Sequence, residues 1–203
     1  MIFFVRHGET ALNRDGRLQG RIDPELSERG GEQVTRVAQR FAPDSVARVY
    51  ASPLRRAQQT AVAIAAVCGA EVEIDDRLVE LDYGEWDGKP LTEMRTPRGD
   101  LWFADPTFAP PGGESLVDVT ARVEAFCLDR LKPDGDERIV AVSHVSPIKA
   151  AVIWALGVDE RVTLRMQLGL ATITTIGARP NGAPYLVAFN DGAHLERDEI
   201  QPA

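Results

Sequence analysis

Short apolar runs alternate along the chain with stretches whose apolar residues recur every three to four positions, the rhythm of an α/β fold. Met1 to Val5 is a buried-strand pattern that turns polar abruptly at Arg6-His7-Gly8. From Ser27 to Phe41 the residues Val34, Val37, Ala38 and Phe41 keep helical spacing behind Ser27, a candidate N-cap. Arg48 to Ala51 predicts a second strand. Ser52-Pro53 then offers a capping hydroxyl and a proline at a first helical position, so the spacing predicts a helix over Pro53 to Cys68. Glu71 to Ile74 predicts a third strand, and Asp75 to Gly113 is irregular and rich in Gly, Pro, Asp and Trp, the kind of long loop that carries function.

Periodicity returns at Ser115 to Leu131 through Leu116, Val119, Val123, Phe126 and Cys127. Arg138 to Val142 predicts a fourth strand, ended by Ser143-His144. Ser146-Pro147 repeats the cap-plus-proline pattern and predicts a helix to about Leu156. Ala171 to Ile176 and Tyr185 to Phe189 predict two closing strands joined by the turn Pro180-Asn181-Gly182. Three predicted strands therefore end in Arg6-His7, in Ser52-Pro53 with Arg55 and Arg56 behind it, and in Ser143-His144. Basic side chains gather at one sheet edge, where open parallel sheets bind ligands.

The chain has 203 residues, enough for one domain (1–203) with a core that needs no disulfide or metal staple. Cys68 and Cys127 sit singly in apolar helical patterns, where free thiols behave as small hydrophobes. Apolar stretches such as Ala61 to Cys68 are too short to span a bilayer, and charge arrives at Arg6 too early for a secretion signal. The expectation is a cytoplasmic protein without a membrane partner. A net charge of −8 excludes the basic face of a nucleic-acid binder, so an anionic substrate must be held by a local cluster. Of the 23 Lys and Arg residues only Lys89, Lys132 and Lys149 are lysines, a bias toward the planar fork that suits phosphate and one that genome base composition also explains.

A phosphate monoester is a dianion, and its pocket needs fixed cationic donors and a nucleophile. Arg6, His7, Arg56 and His144 would supply these, since neutral imidazole attacks phosphorus well when its other nitrogen is held protonated. An alkoxide leaving group also needs a proton, for which Glu80, Asp82 and Glu85 are the candidates. The stretch Gly84 to Lys89 lacks a P-loop's length and its Ser or Thr, neither cysteine has an arginine six positions later, and zinc spacings are absent. Asp134-Gly135-Asp136 is expected to be a turn and not a metal site, and His194 a structural or surface residue.

Arg6-His7-Gly8-Glu9-Thr10 resembles the RHGE(T/S) signature of the histidine phosphatase superfamily, phosphoglycerate mutase-like branch. Asn13 keeps that family's spacing, and Gly20 to Ser27 is similar to its next loop. Ser52 to Ala61 is similar to its S-x-L-x-R-A-x-x-T segment, which places the family's arginine on Arg56. Leu78 to Gly84 resembles its acid/base loop, with the glutamate on Glu80. Pro111 to Ser115, Val142-Ser143-His144, Phe189-Asn190 and His194-Leu195 match further blocks, so the likeness runs through nearly the whole chain.

The resemblance implies a three-layer α/β/α sandwich with a mostly parallel sheet, in which His7 is phosphorylated and Arg6, Asn13, Arg56 and His144 hold the transferred group. Glu80 would protonate the leaving oxygen and then activate water; Thr10, Gln19, Gly20, Tyr83 and Val145 are further substrate-binding positions. No cofactor or metal is implied, the partner is a small phosphorylated metabolite, and homodimers are common among relatives. Many members carry glycine where Val145 stands, so substrate preference does not carry over. Tyr83, Trp86, Trp102 and Phe103 are expected to wall the pocket mouth. The expected activity is phosphomonoester hydrolysis. A phosphoglycerate mutase is the alternative, disfavoured because only residues 90–112 separate Lys89 from Gly113 and the chain stops at Ala203, where the family's mutases carry a longer insert and tail. A non-catalytic phospho-ligand or protein-binding module is the reading of another class, discriminated by turnover of p-nitrophenyl phosphate.

Overall fold

The computed structural model describes residues 1–43, 45–94, 104–133 and 137–196. Among them six strands form one sheet: β1 (Ile2–Arg6), β2 (Arg48–Ala51), β3 (Val72–Ile74), β4 (Ile139–Ser143), β5 (Ile173–Ala178) and β6 (Pro184–Asp191), in the order β3-β2-β4-β1-β5-β6. The four strands from β3 to β1 are parallel, while β5 runs antiparallel to β1 and β6 antiparallel to β5. The α-helices that lie wholly within the described residues are α1 (Ala11–Arg14), α2 (Glu28–Ala38), α3 (Arg55–Cys68), α4 (Leu116–Arg130) and α5 (Val145–Leu156).

Strand pleating divides the core in two, because successive side chains point to opposite faces. Ile2 and Phe4 of β1, Tyr50 of β2 and Ile139 and Ala141 of β4 pack with Val119, Val123 and Phe126 of α4 and Ile148 and Ala151 of α5. Val5, Val49, Ala51, Val140 and Val142 point the other way, onto Val37 and Ala38 of α2 and Ala57, Ala61 and Ile64 of α3. Both sheet faces are thereby covered, which is why these strands carry continuous apolar runs. Cys68 and Cys127 are buried free thiols. No helix among the described residues is long and apolar enough to cross a membrane.

One predicted cap holds: Ser27 Oγ accepts the Gly30 N–H (3.0 Å). Ser115, which the periodicity does not mark as a cap, forms a capping box with Asp118. The helix predicted behind Ser27 as far as Phe41 stops earlier, at Ala38. Two other caps fail. α3 starts at Arg55, two residues beyond the predicted Pro53, and its N-cap residue is Leu54. α5 starts at Val145, with Ser146 and Pro147 inside its first turn and His144 at the N-cap position. The strand predicted over Ala171 to Ile176 begins at Ile173 and continues to Ala178, and α1 has no counterpart in the periodicity because it is a single turn. The turn at Pro180-Asn181-Gly182 is present, with Gly182 at φ 83° and its N–H on Arg179 O (2.8 Å). The Asp134-Gly135-Asp136 stretch lies outside the described residues.

Candidate active site

Sheet register assembles the site. Ala51 pairs with Val142 and Arg6 with Ser143, so His7, Ser52 and His144 stand together just past the carboxyl ends of three adjacent parallel strands. The His7 and His144 ring centroids are 5.0 Å apart and the rings are tilted by 56°. Both histidines are buried.

His7 Nδ1 lies 2.7 Å from Gly8 O. A carbonyl only accepts, so Nδ1 carries the proton and Nε2 keeps its lone pair. Burial pushes the His7 pKa well below 6.5, and the charges of Arg56 and Arg6 push it further the same way, so the ring is neutral at physiological pH. His144 is lowered for the same reasons, burial first and Arg56 next. Its Nδ1 accepts from Arg56 Nε (3.2 Å), which puts its proton on Nε2, donated to Ser52 Oγ (2.7 Å).

Arg6 donates through Nη1 to Leu168 O (2.6 Å), while its Nε is buried and makes no hydrogen bond among the described residues. Arg56 is 0% exposed, and all three of its nitrogens meet protein acceptors: Nε on His144, Nη1 on Ile22 O (2.8 Å) and Nη2 on Gly20 O (2.9 Å) and Gln19 O (3.3 Å). Burial draws both guanidinium pKa values down to about 10, which leaves them charged. Oriented by its neighbours, the Gln19 amide turns its oxygen to Arg56 Nε (2.6 Å), whose single N–H it shares with His144 Nδ1, and its nitrogen to Thr10 Oγ1. Thr10 caps α1, and Asn13 Oδ1 accepts the Thr10 N–H (3.1 Å), so Nδ2 is the donor that Asn13 has left.

Glu80 is buried and is held by three backbone N–H groups. Oε1 accepts from Leu81 (2.7 Å) and Ser146 (3.2 Å), and Oε2 from Val145 (3.1 Å). Two of these belong to the first turn of α5, whose unpaired N–H groups and positive dipole end favour an anion. The loop behind Glu80 is stapled by Arg122, which donates to Arg77 O (2.7 Å), Glu80 O (3.3 Å) and both oxygens of Glu114 (3.0 and 3.2 Å). Of the other two candidate acids, Asp82 is occupied by the Gly84 N–H (2.8 Å) and Glu85 is exposed.

Several expected binding positions already have protein partners. The Val145 N–H is spent on Glu80, and both backbone groups of Gly20 are spent on Asp87 and Arg56. Glycine is required at position 20 because a Cβ would lie 2.6 Å from Leu81 O. Tyr83 is buried with its hydroxyl on the Ser146 side chain; burial first, and the nearby Glu80 charge, raise its pKa. Trp86, expected at the mouth, is instead core, 8% exposed and in ring contact with Phe108. Trp102 and Phe103 lie outside the described residues. His194 is structural, with Nε2 on Ala171 O (2.8 Å), and Ala171 in turn donates to His7 O (3.2 Å). The sequence reading missed Ser52 as the partner of His144, having given it a capping role, and missed Asp87 and Arg122, which no local pattern marks. Among the described residues no three His, Cys, Asp or Glu side chains are placed to hold a metal ion.

The architecture is an α/β sandwich that presents two neutral imidazoles, the fully buried guanidinium of Arg56, the partly buried one of Arg6 and one buried carboxylate at the carboxyl edge of its parallel strands. The chain belongs to the histidine phosphatase superfamily (branch 1), whose family model matches residues 2–192. It is similar to phosphoserine phosphatase 1 of Hydrogenobacter thermophilus, 37% identical over 162 residues, covering 78% of this chain and 77% of that protein. A probable phosphoglycerate mutase of an Enterobacter species is 33% identical, with 98% of both chains covered. The crystal structure of an Entamoeba histolytica phosphoserine phosphatase with 3-phosphoglyceric acid superposes with a TM-score of 0.88 at 31% identity, over 96% of this chain and 98% of that one. Other relatives are longer: the chain spans 54% of mycobacterial proteins to which it is 36% identical.

Proposed function

We propose that this protein hydrolyses a small phosphomonoester through phosphohistidine at His7. His7 Nε2 attacks phosphorus, the bond from phosphorus to the substrate oxygen breaks, and that oxygen takes the proton that Glu80 Oε2 has picked up beside the bound phosphate dianion. Water then attacks the phosphoryl group, Glu80 accepts its proton, the N–P bond breaks and inorganic phosphate leaves with the His7 lone pair restored. Arg6 Nε and Asn13 Nδ2 are the donors we assign to the phosphoryl oxygens. Arg56, whose nitrogens are engaged, acts chiefly through its charge, and His144 fixes the Arg56 fork.

The observation that carries this reading is the fixed tautomer of His7 beside the guanidinium groups of Arg6 and Arg56, in a chain of this family. Relatives named for phosphoserine and a structure with 3-phosphoglyceric acid support a phosphorylated metabolite that also bears a carboxylate. Two buried, unpaired cysteines support a cytoplasmic setting. The decisive experiment quenches the enzyme in acid during turnover of phosphoserine and weighs it intact. A phosphoryl adduct lost on mild acid treatment and absent from His7→Ala is expected; turnover by His7→Ala at the native rate would overturn the reading.

The mutase reading stays in view because of the Enterobacter relative. Conversion of 3-phosphoglycerate with its bisphosphate, measured beside phosphate release, decides between the two.

A further inference from the structure

Arg56 is a fully buried cation, yet no carboxylate among the described residues touches it; its oxygen acceptors come from the segment Gln19 to Ile22. On the other side of that segment sits Asp87. Its Oδ1 accepts the Gly20 N–H (2.7 Å), and its Oδ2 accepts the N–H groups of Arg21 and Ile22 (2.8 Å each). The Gln19 carbonyl and the Gly20 N–H belong to one planar peptide unit, and the Gly20 carbonyl and the Arg21 N–H to the next. Both units therefore stand between acid and guanidinium, each with its N–H on Asp87 and its C=O on Arg56. Peptide dipoles of about 3.5 D aligned this way are favourable to both charges.

We infer that Asp87 is a positioning residue for Arg56, a counter-charge applied through two peptide groups. A carboxylate in direct contact would repel an incoming phosphate dianion at close range. Set one peptide farther back, it fixes the guanidinium while cancelling less of its field, because Coulomb energy falls with separation. Gly20 serves the same arrangement, since a Cβ there would strike Leu81 O and push the two carbonyls off Arg56. If Asp87 merely closed the turn at Trp86-Asp87-Gly88, nothing would couple it to Arg56.

This assignment rests on the reading of Arg56 as part of the phosphoryl pocket, and a double-mutant cycle tests it. Asp87→Asn and Arg56→Lys are compared singly and together, by orthovanadate affinity in a calorimeter and by kcat and KM for p-nitrophenyl phosphate. Lysine lacks the fork that the carbonyls index. Asp87→Asn is expected to weaken vanadate and lower kcat by about tenfold with KM within about threefold, and to change either by less than about twofold when Arg56 is already lysine. Gly20→Ala is the second variant; it should reproduce the loss and add little to Asp87→Asn. Equal losses from Asp87→Asn in both Arg56 backgrounds, or a drop in melting temperature with vanadate affinity unchanged, would overturn the inference. Vanadate binding without turnover by the native chain would overturn hydrolysis alone, the cycle in vanadate affinity still deciding on Asp87. A native chain that binds no vanadate overturns both.

Discussion

His7 and Glu80 are both buried reactive groups, and the protein fixes them by opposite means. His7 follows directly on β1, and among the described residues its ring makes one hydrogen bond, from its own Nδ1–H to the carbonyl of Gly8, with none at Nε2. Glu80 sits in an irregular segment and receives three N–H groups, two of them from a helix start, 65 and 66 residues along the chain. The imidazole is controlled by surrounding cations and lack of water, the carboxylate by the geometry of donors. A strand terminus aims a side chain without help, whereas a loop acid must be aimed by tertiary contacts.

Removing the strand-held group breaks this comparison most severely. His7→Ala removes the only atom assigned to bond phosphorus, so phosphate release should fall by about 10³-fold or more, with no phosphoryl adduct by intact mass. Retained activity would transfer the nucleophile's role elsewhere.

Glu80→Gln comes next. The amide can still face α5 but supplies no acidic proton, so turnover of phosphoserine should fall by about 10²-fold and that of p-nitrophenyl phosphate, whose leaving group needs little protonation, by much less. Equal losses on both substrates would remove Glu80 from the role of acid.

Much of this arrangement is readable in the sequence where the physics is local. Ser27 caps its helix because a hydroxyl reaches an N–H three residues on, and the apolar runs of β1, β2 and β4 deliver Arg6, His7 and His144 to one edge by strand register. Ser52-Pro53 and Ser146-Pro147 show the same local signal and mislead. The first N–H groups of α5 are satisfied by a distant carboxylate, and Ser52 Oγ is taken by His144, so the helix starts are set by partners that no window of sequence contains. Arg56 was placed at the site by motif, but its engagement by Gln19, Gly20 and Ile22 depends on a fold-back of the chain and was not legible. Asp87 and Arg122 escaped for the same reason.

Arg122 sharpens the comparison because it touches only the loop-held side. Arg122→Met keeps the stem and removes the donors to Arg77 O, Glu80 O and Glu114. Turnover of phosphoserine should fall by about tenfold with p-nitrophenyl phosphate nearly unaffected, the signature of a displaced acid. Loss on both substrates together with slower formation of the phosphoryl adduct would mean that the two regions are not independently held.

The smallest effect concerns stability and belongs to the imidazole side. His7 and His144 are neutral in the folded protein because burial, then Arg56, lowers their pKa values well below 6.5, while in the unfolded chain each takes up a proton near 6.5. The unfolded state then binds more protons below that pH, so the stability conferred by the neutral rings is complete above about 6.5 and declines as the pH falls beneath it. Between pH 7 and 5.5 each ring should account for a loss of about 1 kcal/mol, seen as a lower urea midpoint. His144→Asn, which keeps an amide against Arg56 and Ser52 but does not titrate, should shrink the drop by about that amount. An unchanged drop would show that His144 is charged in the folded state, and with it that Arg56 Nε does not donate to its Nδ1.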